Sequence, residues 1–168
     1  MNSALEDAIK EAYACAPSND VIIETLEISH PSVGGSLYLV SQREEIMAKL
    51  ETSETVTFEP TGFKFTLPAA GENGRQDLEL SIDNVDRRIS EFINLAKDYP
   101  GQPVTVVYRP YLSSDLSAPQ MSPPLTLTLR DISITVFQVS GRATFADLIN
   151  LKFPSDYYTR KRFPGLGG

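Results

Sequence analysis

Apolar and polar positions alternate as they do in strands through most of the chain, and repeat with helical spacing at only a few places. Over residues 3–16, Leu5, Ala8, Ile9, Ala12 and Ala16 fall on one stripe opposite Glu6, Asp7, Lys10 and Glu11, which predicts an amphipathic helix. Ser3 is its N-cap, Glu6 stands three residues later, and Pro17 ends it. The β-branched run Val21–Ile28 predicts a first strand, His30–Gly35 a turn and Ser36–Ser41 a second strand. Residues 44–51 fit a short helix or a strand equally. Val56 and Phe58, then Phe63, Phe65 and Leu67, predict two strands parted at Pro60-Thr61-Gly62. After a loop containing the hairpin signal Asn73-Gly74, Leu78, Leu80 and Ile82 alternate with Asp77, Glu79, Ser81 and Asp83. That strand has one wet face.

The clearest helix is 85–98, with Ile89, Phe92, Ile93 and Ala96 on one stripe, a cap at Asp83 or Asn84, and Pro100-Gly101 beyond its end. It is expected to pack across a sheet. Val104–Tyr111 is strongly β, and 113–124 is a long polar connection of the kind that is functional or disordered in compact domains. Leu125, Leu127 and Leu129 alternate on odd positions, then Ile132, Ile134 and Val136 on even ones. The phase flips at Arg130-Asp131, so one extra residue there, a β-bulge or bend, is needed to keep both sets inward. After Gly141, Thr144 reads as the cap of a short helix to Asn150, with Asp147 at capping-box distance. About eight strands with one long helix among them, and no repeating βαβ rhythm, predict a mainly β (α+β) fold. The expected form is a β-sandwich or split barrel with the central helix packed across it and short N- and C-terminal helices. Residues 1–151 form one β-rich domain and 152–168 an aromatic, basic arm.

Composition narrows the function classes. With 41% hydrophobic residues in 168, a chain of this size builds a core without staples or metals. Its 22 acidic against 15 basic residues give a net charge of −7, the wrong sign for general phosphate binding. The charge is uneven: residues 1–84 carry 5 basic and 15 acidic groups, and 85–168 carry 10 basic and 7 acidic. Two faces complementary for self-assembly, or a scattered solvated surface, both fit that asymmetry. Cys15 is the only cysteine, so neither an intrachain disulfide nor a cysteine metal cage is available. The N-terminus lacks a basic n-region and an apolar h-region, and no stretch approaches the roughly 18 apolar residues of a membrane span. A soluble protein made in the cytosol, with no membrane partner, is expected.

Candidate chemistry is sparse. His30, the single histidine, sits in a Pro/Gly turn beside Ser29 and Ser32, but neither a serine triad nor a Cys15–His30 dyad carries a sequence signature. His30 reads as a turn residue and Cys15 as a packing residue. Glu44-Glu45 and Asp77, Glu79 and Asp83 read as solvated faces. Walker, dinucleotide, zincin, EF-hand and nucleophile-elbow patterns do not occur, so no cofactor, no metal and no enzyme activity are expected. The strongest functional feature is the arm. Phe153, Tyr157, Tyr158 and Phe163 combine large, rotor-poor contact area with the cations Arg160, Lys161 and Arg162. It suits docking on a neighbouring subunit or protein, or folding back on its own domain.

Four blocks together resemble a known family: Ser81-Ile82-Asp83-Asn84-Val85; Val106–Leu112 with Ser114-Asp115 and Pro119; Gly141-Arg142-Ala143 with Phe145 and Asp147-Leu148; and Phe153-Pro154 to Tyr158 with Phe163-Pro164-Gly165-Leu166. They are similar to small proteins encoded among the tail genes of long-tailed bacteriophages and prophages, catalogued as a domain of unknown function. The terminal Phe-Pro-Gly-Leu block is the most specific, and the resemblance covers nearly the whole chain. It implies a minor tail protein of the virion, similar to distal tail proteins that form a ring on the tail tube near the tail tip or baseplate. Relatives of that kind are β-sandwiches or split barrels carrying a helix. Such a ring implies a homo-oligomer, six-fold on the tube or three-fold nearer the tip, touching the tail tube and tail-tip or hub proteins. On this reading the arm residues form the interface, and Asp77, Glu79 and Asp83 face a channel through which DNA passes without sticking. Competing readings are a tail assembly or completion factor, a monomeric ligand-binding sandwich, and a cell-wall hydrolase, for which the chain offers no evident nucleophile and base.

Overall fold

The computed structural model describes residues 20–66, 78–84 and 87–145. Their β-branched and aromatic runs form β1 (Ile22–His30), β2 (Val33–Val40), β3 (Ile46–Lys49), β4 (Thr55–Pro60), β5 (Phe63–Thr66), β6 (Leu78–Asp83), β7 (Val104–Leu112), β8 (Leu125–Ile134) and β9 (Gln138–Phe145). One helix, α1 (Arg88–Lys97), lies between β6 and β7. The strands make one nine-stranded sheet in the order β3-β4-β2-β1-β7-β8-β9-β6-β5. All neighbours are antiparallel except β2 and β4, which run parallel with Leu39 opposite Glu59.

The sheet curls because of one short connection. β4 lies near one end of the order and β5 at the other, yet only Thr61 and Gly62 separate them in sequence. A link of that length spans at most about 11 Å, so the two ends must meet. Thr61 N–H donates to Val40 O of β2 at 2.9 Å, and Asp83 N–H of β6 donates to Gly62 O at 2.8 Å. A Cβ at Gly62 would collide with the Asp83 carboxylate. A side chain at this seam position would have to displace the Asp83 carboxylate. The result is the barrel-like β architecture expected from the sequence.

Alternation along the strands divides the buried residues between two faces. On one face Leu26, Ile28, Val106, Tyr108, Leu80, Ile82 and Leu127 form the main core with Ile89, Phe92, Ile93 and Ala96 of α1. On the opposite face Ile23, Val40, Ala48, Leu50, Phe58 and Tyr111 form a smaller core, with Phe58 edge-on to both Tyr38 and Tyr111. β1, β2 and β7 are therefore covered on both sides.

Several expectations need correction. The N-cap of α1 is Arg87, in a left-handed conformation (φ 62°) with no side-chain cap bond. Asn84 serves at a distance: its Oδ1 accepts Ser90 N–H at 3.4 Å. His30 ends β1 and Val33 pairs with it, leaving only Pro31-Ser32 as the turn. Of the two readings left open for 44–51, the strand is the one found, over Ile46–Lys49 paired with β4. Thr144 lies in β9, with its Oγ1 donating to Thr128 O at 3.4 Å, so no helix starts there. Gly141 sits mid-strand because a Cβ would lie 2.9 Å from Leu129 Cδ1 and 3.1 Å from Arg130 O. The terminal-helix segments 3–16 and 146–150 and the Asn73-Gly74 loop lie outside the described residues.

The bulge appears where the phase flips. Arg130 pairs with Arg142 and Ser133 with Ser140, three steps on β8 answering two on β9, and Asp131 takes φ 51°. Leu127, Leu129, Ile132 and Ile134 all reach the main core, whereas Val136 lies in the turn beyond and is exposed. The long 113–124 connection is held at several points: Lys49 N–H donates to Leu116 O at 2.9 Å and Gln120 N–H to Pro110 O at 2.8 Å. Leu116 packs on the small core and Met121 on the main one. Among the described residues no helix is long and apolar enough to cross a membrane.

Candidate functional site

The most concentrated charge lies inside the fold. Arg109 of β7 is 4% exposed, a burial an arginine tolerates only when its donors are matched. Its Nε and Nη2 bond Glu51 Oε2 and Oε1, each at 2.8 Å, and its Nη1 bonds Glu27 Oε2 at 2.8 Å. Ser36 Oγ donates to the other oxygen of Glu27 at 2.9 Å. The fork on Glu51 is the bidentate geometry that makes such pairs strong. The hydrogen bond from Arg109 holds the Glu51 carboxyl below its ordinary range despite partial burial. Burial alone would lower the Arg109 pKa, but its bonds to Glu51 and Glu27 outweigh this and raise it. The guanidinium thus has three of its five N–H donors engaged by carboxylates. It clamps β7 to β1 and to the turn after β3.

Tyr111 completes this face. Its hydroxyl donates to Lys49 O at 2.8 Å, and burial pushes its pKa up to about 12. A raised tyrosine pKa contributes stability that is fully present below about pH 10, the unfolded value, and is lost as pH rises towards 12. In urea titrations the wild type is therefore expected to lose stability between these limits. Tyr111→Phe flattens that limb and costs about 1 kcal/mol at pH 7 through the lost hydrogen bond.

His30 is buried rather than turn-exposed. Its Nδ1 accepts Ser32 N–H and its Nε2 faces Gln102 O, each at 3.2 Å. Those partners suit the tautomer with the proton on Nε2. The Ser32 hydroxyl bonds Gln102 Oε1 instead of the imidazole, so the geometry presents no serine–histidine pair here. No group of three or more His, Cys, Asp or Glu among the described residues is placed to hold a metal ion.

The sequence-predicted interface residues are only partly placed. Glu79 and Asp83 are exposed on the outward face of β6. Glu79 stands opposite Arg142, and Ser81 opposite Lys64. Arg130 is opposite Arg142 on the next strand, and Asp131 lies 3.9 Å from Arg142. That face is of mixed sign. Asp77, Phe153, Tyr157, Tyr158, Arg160, Lys161, Arg162 and Phe163 lie outside the described residues, as does Cys15.

Two apolar features stand out that sequence reasoning missed. The first is the β8–β9 hairpin tip, where Val136 is 67% and Phe137 82% exposed. The tip is braced. Thr135 N–H donates to Gln138 O at 2.8 Å, Gln138 N–H to Thr135 Oγ1 at 3.0 Å, and Asn84 bonds both Phe137 O and Thr135 O. The available signal was an apolar pair at two-residue turn positions, where Gly, Asn and Asp are preferred. The second is an open groove of about 300 Å³ between the C-terminal end of α1 and the bulge. Ile93, Ala96, Tyr99, Pro103, Val104 and Ile132 line it, with Lys97 and Arg130 among its polar lining. Leu95, one turn before Tyr99, is also exposed.

A family model described as a domain of unknown function (DUF1833) matches residues 8–158. No curated protein matches the sequence.

Proposed function

The chain belongs to that DUF1833 family, and from this premise we propose that it is a structural, non-enzymatic tail protein of a long-tailed bacteriophage. Its subunits would assemble into a ring, six-fold or three-fold, that joins the distal end of the tail tube to the tail tip. The tail-gene resemblance of the four sequence blocks supports the virion setting. The observation that carries self-assembly is the braced tip, since a phenylalanine held 82% exposed is a liability in a protein that works alone.

Lys64, Arg130 and Arg142 interleave with Glu79 and Asp83, and a face of mixed sign suits a subunit boundary better than a bore that repels phosphate. A ligand-binding module is less well supported, because about 300 Å³ is the lower limit of small-molecule pockets.

Light scattering across a concentration series, with negative-stain imaging, tests the ring. Full-length protein is expected to give a six-fold or three-fold mass and annular particles. A version ending at Leu151 separates the arm's share from that of the folded domain. A monomer at every concentration, without annuli, overturns the self-assembly reading.

A further inference from the structure

We propose that the hairpin tip of one copy inserts Phe137 into the groove beside α1 of the next copy, so that tip and groove form the subunit contact. The proposal rests on the self-assembly reading and deepens it by naming the surface. Three of the six exposed large apolar side chains among the described residues, Tyr99, Val136 and Phe137, belong to these two features. They are complementary in form. One is a rigid aromatic projection and the other a shallow apolar recess with room for a single ring.

They are also complementary in charge. Asp83 pairs in register with Gln138 at the base of the tip and is exposed. Lys97 and Arg130 line the groove, and among the described residues neither has an ion-pair partner; Lys97 Nζ meets only Asn94 Oδ1, at 3.5 Å. Asp131, the acid beside them, is matched by Arg142. A neighbour's tip would therefore bring a carboxylate to two cations as its phenylalanine is buried.

Tip and groove are separate patches of the subunit. Asn84 ties the tip to the start of α1 through Phe137 O and Ser90 N–H, whereas the groove lies at the other end of the ten-residue helix, about 15 Å away. Contact between two such patches either exchanges reciprocally in a two-fold pair or repeats from copy to copy, closing into a ring when the rotation allows; the six-fold or three-fold mass proposed above selects the second.

The test uses full-length protein in three arms. Phe137→Ser, at a site too exposed to carry the fold, is expected to raise the half-assembly concentration by about 30-fold or more, the behaviour of a central aromatic anchor, with the unfolding temperature of the subunit unchanged. Asp83→Lys or Lys97→Glu alone is expected to weaken assembly, and the two together to restore it in part. In a Cys15→Ser background that keeps Phe137, oxidising a mixture of Val136→Cys and Lys97→Cys proteins is expected to give a cross-linked pair. If Phe137→Ser assembles like the wild type and no cross-link forms, the tip–groove contact is wrong while self-assembly stands. If the wild type is monomeric at its highest concentration and no cross-link forms, both fall.

Discussion

Arg109→Ala is expected to destabilise the protein by about 3–5 kcal/mol, the range for removing one partner of a buried ion pair. The loss comes from what is left behind. Glu27 is 14% and Glu51 33% exposed, and without the guanidinium two carboxylates face each other at the border of the small core. Glu51 can turn towards water, which places the expectation in the lower half of the range; Glu27 cannot do so as readily. Arg109→Lys restores the charge but not the two parallel bonds to Glu51, so an intermediate loss is expected.

The same cluster sets an acid limb. Arg109 holds the Glu51 carboxyl low, and a depressed carboxyl contributes stability that is present above its unfolded value of about 4.3 and lost as pH falls through the folded one. Wild-type stability is thus expected to fall on acidification below that value, whereas Arg109→Ala loses this slope and the two proteins converge. Urea midpoints at pH 7 and along an acid series read both effects. A loss under about 1 kcal/mol at pH 7 would mean that water already solvates the cluster and that it is not a clamp.

This clamp was hidden in the sequence for a physical reason that applies to other misses. Val104, Val106 and Tyr108 mark one face of β7, but Tyr111 falls on the other phase. Apolar residues on both phases signal a strand covered on both sides, where a charged residue must have partners. Arg109 could have been flagged as buried on that ground, although its partners Glu27 and Glu51 are separated from it by 82 and 58 residues and no local pattern names them. β9 was missed because Gly141 reads as punctuation, while its real cause is close approach to Leu129 and Arg130. β3 was ambiguous because Met47 and Ala48 favour helices in isolation, and pairing with β4 decides the matter. The helix stripe and the bulge were legible because their signals are local and periodic. The tip and groove are assembled from residues 93–104 and 129–137, and only the folded chain brings them into one surface.

The bulge allows the sharpest test of how β8 is specified. Deleting Asp131 leaves Leu129 inward, Arg130 outward and Ile132 inward, so regular alternation continues and every core residue keeps its face. The Arg142–Asp131 pair that is lost is 66% and 73% exposed and contributes little, and a residue at φ 51° is removed. A change within about 1 kcal/mol is expected, since relief of a left-handed residue and loss of the bulge's twist oppose each other. Deleting Thr128 has no such escape. Either Leu127, fully buried, turns outward, or the bulge absorbs the lost residue, which sends Leu129 out and Arg130 into the main core. Exposing one leucine costs about 1.5–3 kcal/mol, and an unpaired inward charge adds several more, so a loss above about 3 kcal/mol is expected. Thermal unfolding of the two deletions side by side decides the point. Equal damage from both would mean that the bulge is needed to bend β8 around the barrel; a mild effect at Asp131 and a severe one at Thr128 would mean that alternation specifies the strand and that the bulge shapes the groove wall formed by Arg130, Asp131 and Ile132.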